Sequence, residues 1–182
     1  MPTEGLTATE VLSAALKTAH RILEITMADV TDEIANRPAP GKANPIGSSY
    51  AHVALSEDDI VNGMLQGKPP LSATSWAGKT GSDKPMPMPG MVEGDLGEWY
   101  HTARIDLAAC RTYAQAVYAQ TLSFIESADD ATLRREIDLS IVGLGSMSVA
   151  DILSMFVIGH AQNLCGEISA IKGVQGLRGY PF

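Results

Sequence analysis

The 182 residues, 45% hydrophobic and 19% charged, have the size and balance of one globular domain, 1–182, able to bury a core without disulfide or metal staples. A formal charge of −8 argues against nucleic acid as a partner, since phosphate contacts need a basic stripe, and equally against docking on anionic lipid. No apolar run approaches the ~20 residues of a membrane helix and no basic-then-apolar leader opens the chain, so Cys110 and Cys165 read as reduced thiols of a cytoplasmic protein.

Thr7 and Glu10 have capping-box spacing and predict a helix start. Leu12, Leu16, Ala19, Leu23, Met27, Val30 and Ile34 continue it as one apolar stripe, until "RPAPGKANP" stops it. Asn44-Pro45, a cap residue before a proline, opens a second helix that runs to about Gly67. Residues 67–92, rich in Gly and Pro, form a long loop, which Trp76 pins to the bundle; "PMPMPG" (85–90) within it reads as a stiff extended linker. A third, alanine-rich helix starts near Asp95 with Glu98 three residues on, and "REIDLSIVGLGSMSV" suits a short hairpin. Ser148 and Asp151 open a fourth helix that Gly173 ends. Its stripe of Leu153, Val157, His160, Leu164, Ile168 and Ile171 places His160 on the buried face. Four long amphipathic helices predict an all-α four-helix bundle with a long loop between helices 2 and 3. Walker-type, dinucleotide-binding and HExxH patterns are lacking.

Three stretches carry a family resemblance: "NPIGSSYAHVALSEDDIVNGMLQGKPPL" (44–71), the Trp76 loop leading into "EWYHTARIDLAACRTYAQAVY" (98–118), and "DILSMFVIGHAQNLCGEISAIKGVQGLRGYPF" (151–182). In these the chain resembles the DinB-like superfamily, which also holds the YfiT-like proteins and the mycothiol-dependent maleylpyruvate isomerases. The resemblance implies a bundle with an unusual helix order, pairing into homodimers, and a divalent-metal site of three histidines. One histidine comes from the second helix and two from an HxxxH pair in the fourth. It implies thiol-linked transferase or isomerase chemistry with a low-molecular-weight thiol. His52 and His160 match two of the three ligands, and Leu164 stands where the third belongs.

Leucine cannot bind a metal, so the reading divides. Either His52 and His160 hold zinc, nickel, iron or manganese with positions left open, or they line the pocket of a metal-free, small-molecule-binding bundle. Other residues replace the missing ligand poorly. Asn163 offers only an amide, Glu167 lies about 10 Å further along the axis, and Cys165 points about 140° away. Ser56 and Asp59, one and two turns past His52, are no obvious ligands. His20 and Glu24 have i, i+4 spacing and read as a boundary pair, His101 as a surface residue, and Cys165 as a small apolar filler. Glu167 is expected to serve the fold through a hydrogen bond to the tail or loop, and the closing Tyr180-Pro181-Phe182 to fold back on the bundle or into a dimer contact. No catalytic residue is named by the sequence.

Overall fold

A computed structural model describes residues 5–88 and 93–182. Helix α1 (Ala8–Thr26) begins with the capping box, the Thr7 hydroxyl accepting from the Glu10 amide while the Glu10 carboxylate accepts from Thr7. The apolar stripe past Met27 does not belong to one helix. The chain turns at 27–31 and restarts as the short α2 (Asp32–Ala35), capped by Thr31. The turn is fixed from outside: the buried Lys172 ammonium donates to the Thr26 carbonyl and to Asp29, and Arg111 donates to the Met27 carbonyl.

Helix α3 (Ile46–Asp58) continues as a π-helical segment, Asp59–Leu65. Its expected cap is corrected: Pro45 occupies the cap position, Ile46 is the first helical residue, and no side chain caps it. The third helix is also corrected. Asp95 caps α4 (Leu96–Thr102), the chain then runs extended, and Asp106 caps a new helix, α5 (Leu107–Ser127). Tertiary bonds open this gap. Ile105 pairs with Ser82 of the long loop, and the Asn36 side chain both donates to the Ile105 carbonyl and accepts from its amide.

After α6 (Asp130–Arg134), the strands β1 (Glu136–Asp138) and β2 (Ser146–Ser148) form the expected hairpin, with Ile137 opposite Met147. Ser148 then caps α7 (Val149–Ile152), which runs through a second π-helical segment, Leu153–Gly159, into α8 (His160–Val174). The helix passes Gly173 and stops at Gly176, whose φ of +84° suits glycine alone. The tail folds back so closely that a Cβ on Gly179 would meet the Ser169 carbonyl at 2.5 Å, yet Tyr180 and Phe182 pack on each other and stay largely exposed.

The four rods are α1, α3, α5 and the α7–α8 helix. α1 and α3 each pack against both α5 and α8, which sets them on a diagonal of the bundle rather than side by side. Helix α3 is the inner rod: of its thirteen residues, twelve are buried and His52 alone is not. The long loop crosses the bundle and is anchored by α3. Asp58, fully buried, accepts from the Leu71 and Ser72 amides, the Asn62 amide and the Tyr113 hydroxyl at 2.7–2.9 Å. Trp76 lies 5.8 Å from the Tyr113 ring, as its pinning role requires. Gly81, at φ +83°, lets the loop touch the start of α5, where a Cβ would sit 2.4 Å from the Cys110 nitrogen. No helix among the described residues is long and apolar enough to cross a membrane.

Candidate functional site

His52 and His160 meet. Their ring centroids are 4.9 Å apart, edge to face, although 108 positions separate them in sequence. Two local arrangements bring this about. His52 stands on the inner rod, on the one side of α3 that is not sealed. His160 opens α8 directly after the π-helical segment, whose wider turn advances the helix face by one residue.

The neighbours fix which nitrogen of each ring carries the proton. The Ser56 hydroxyl donates to the His52 carbonyl at 2.6 Å, so its oxygen remains to accept, at 3.4 Å, from His160 Nδ1–H. His52 Nδ1 lies 3.1 Å from the Met86 sulfur, a thioether that can only accept, so this Nδ1 is protonated as well. Both rings therefore present an Nε2 lone pair, and among the described residues neither Nε2 has a protein partner. Burial, helped by the adjacent His160, pushes His52 down to about 3. Burial also lowers His160, with the Glu57 carboxylate pulling the other way. At neutral pH the pair is thus two uncharged imidazoles with lone pairs available, each held by an outer partner at Nδ1, the arrangement that suits a metal ligand.

Leu164 lies one turn beyond His160 and is 7% exposed. Among the described residues no group of three or more His, Cys, Asp or Glu side chains is arranged to hold a metal ion. The donor set suits a divalent transition metal by type and falls short by number. It supplies two imidazoles where catalytic zinc has three protein ligands, and leaves the remaining positions to water or an incoming group.

The other candidates lie elsewhere. His20 does not pair with Glu24; its Nε2 is 2.8 Å from Glu57 and its ring stacks on Tyr118 at 3.6 Å. Glu24 instead accepts from the Tyr50 and Tyr118 hydroxyls. The His20–Glu57 and Glu24–Tyr50 bonds tie the diagonal rods α1 and α3 across the core, and Tyr118 joins α5 to them. Cys165 is a buried filler touched by the Thr26 hydroxyl, and burial raises the Cys110 thiol to about 12, so neither is a nucleophile. His101 is exposed on α4, as expected. Glu167 and Asn163 are exposed, and neither hydrogen-bonds to the tail or loop among the described residues; the Glu167 charge instead helps raise the Tyr100 hydroxyl, after burial. The proline run is more than a linker, since Met86 within it is buried against His52; residues 89 and 90 of that run lie outside the described residues.

Four site residues escape a reading by ligand type: Ser56, Glu57, Asp58 and Met86. The available signal was "SED" (56–58) in a stretch with no Lys or Arg from Asn44 to Gln66, which marks acids that draw their hydrogen-bond donors from elsewhere in the fold. Glu57 is 2% exposed, and its second oxygen has no partner among the described residues.

The DinB superfamily model matches residues 15–164, a span that holds His52, His160 and Leu164. The chain belongs to the DinB superfamily. It is similar to a conserved protein of Enterococcus faecalis, at 20% identity and a TM-score of 0.77 over 94% of this chain and 99% of that one. It is also similar to YfiT from Bacillus subtilis, described as a probable metal-dependent hydrolase with an unusual four-helix bundle topology. That match has 12% identity and a TM-score of 0.63 over 97% of this chain and 94% of the other. The bundle with diagonal first and second rods is thus a DinB-type fold. No curated protein matches the chain.

Proposed function

We propose that this DinB protein is a metal-dependent enzyme of the thiol-linked transferase or isomerase type, in which His52 and His160 hold a divalent ion through their Nε2 atoms. The observation that carries the reading is the pair of neutral imidazoles, each with its proton on an anchored Nδ1 and its lone pair unengaged. A bound divalent ion would lower the pKa of a coordinated thiol or water and so supply a nucleophile at neutral pH. The protein's own part is to orient and to exclude water. Ser56 and Met86 keep both rings from turning, and Tyr100, 5.2 Å from the His52 ring, walls one side. Leu164 offers an apolar surface beside the open positions, which suits the methylene carbons of a small thiol better than a hydration shell.

The test is metal content by elemental analysis of untagged protein, before and after incubation with zinc, nickel, iron or manganese, with His52→Ala and His160→Ala alongside. Near-stoichiometric metal abolished by both substitutions supports the reading, and a screen for thiol transfer against hydrolysis then separates the nucleophiles. Absence of metal under every condition overturns it. Leu164 favours a second reading, a metal-free bundle that binds a small molecule beside the two histidines; ligand binding by metal-free protein that His160→Ala weakens would support that one.

A further inference from the structure

Away from the two histidines, a cavity opens where both π-helical segments meet the hairpin. It encloses about 690 Å³, within the range of small-molecule sites. Met64, Met88, Val142, Leu144, Ile152 and Phe156 supply apolar walls, and Ile141 at its mouth is 91% exposed. Among the described residues two charged ones line it. Lys68 is exposed and its ammonium donates to the Gln66 side chain at 2.7 Å. Asp59 is half-buried, begins the first π-helical segment, and has no hydrogen-bond donor among the described residues. Asp59 also lines a neighbouring cavity of about 450 Å³ that reaches Met86.

A carboxylate set in an apolar wall without a donor is poorly solvated, and a ligand that brings a donor relieves it. Flexible methionines and aliphatic walls suit an unbranched or aryl body of no fixed shape. We propose that this groove binds a small amphiphilic amine, its alkyl or aryl body against Met64, Leu144 and Phe156 and its ammonium on the Asp59 carboxylate. The electrostatics agree. Burial, followed by the charge of Asp58, raises Asp59 to about 7, the mark of an acid lacking a cation. Among the described residues none of the groups around Asp59 forms an ion pair with it: Asp58 is an acid engaged by its four donors, Tyr113 donates to Asp58, the exposed Lys68 donates to Gln66, and Asp83 and Lys84 line the neighbouring cavity without bonding to Asp59. An overall charge of −8 favours approach of a cation.

The groove shares no lining residue with the histidine pair, so the proposal stands apart from the metal reading and is tested on metal-free protein. Calorimetric titration at pH 8 would use n-octylammonium and n-octanol as probes, with Asp59→Asn and Leu144→Lys beside the natural protein. Octylammonium is expected to bind about tenfold more tightly than octanol, a charge-assisted contact's difference. Asp59→Asn is expected to bring the two probes level while octanol binding persists, which also shows that the variant is folded. Leu144→Lys is expected to weaken both. Absence of binding, equal affinity for the two probes, or a preference that survives Asp59→Asn overturns the proposal. So does a dimer, seen by sedimentation, that excludes the probes and that Leu144→Lys dissociates.

Discussion

Replacing Asp58 with alanine gives the sharpest test of how the long loop is held. The carboxylate is fully buried and serves four donors, two from the loop backbone and two from the bundle. In Asp58→Ala the Leu71 and Ser72 amides can rehydrate once the loop lifts. The Tyr113 hydroxyl and the Asn62 amide stay inside, each stranded at about 1–3 kcal/mol. Together these give a loss of about 4 kcal/mol, a large effect for one residue. For a chain of this length that corresponds to a fall in Tm of roughly 8–16 °C. Urea denaturation measures the loss, and hydrogen exchange at the Leu71 and Ser72 amides shows whether the loop is its origin. A loss below about 1 kcal/mol, with both amides still protected, would refute the account and place the anchor at Trp76 instead.

Leu164→His restores a third imidazole one helical turn from His160, and is expected to tighten metal binding at least about tenfold in a competition titration; unchanged affinity would show that the Nε2 atoms do not converge on a common ion. Ser56→Ala frees the His160 ring to exchange its proton between nitrogens. Metal affinity should fall about tenfold, the lower end for an outer-shell partner because the bond is 3.4 Å long, and nitrogen-15 shifts of the ring should report mixed tautomers. The pH dependence of stability should carry the signature of His52. With its folded value held near 3, the unfolded chain takes up a proton that the folded chain refuses, so its contribution is complete above about pH 6.5 and drains away as pH falls from there towards 3. Natural protein should therefore lose more unfolding free energy between pH 7 and pH 5 than His52→Gln does, and parallel losses would count against a buried neutral ring.

The parts of the fold written in local chemistry were legible. The Thr7–Glu10 box, the Ser148–Asp151 cap, and the hairpin around Gly143 and Gly145 need only neighbouring residues to form. The breaks were not legible, because their causes are distant. The stripe through Met27 and Val30 is truly buried, but the helix beneath it ends on bonds from Lys172 and Arg111, over eighty positions away. Likewise the only local sign of a gap at Ala103–Ile105 is the cap residue Asp106; bonds from Asn36 and Ser82 hold it open. At the site, the two histidines could be placed on facing helices from spacing and resemblance. Their protonation could not, because it depends on a serine on one rod and a methionine brought in by the loop.

The π-helical segment at Leu153–Gly159 makes the pairing of the imidazoles tolerant of one change in chain length. Its wider turn holds one residue more than an α-helical turn, so each residue beyond it keeps the face that a plain α-helix would give to the position before. His160 is the first residue past that step. Deleting one residue within 153–159 would therefore close the segment to α-helix and leave the His160 ring against His52.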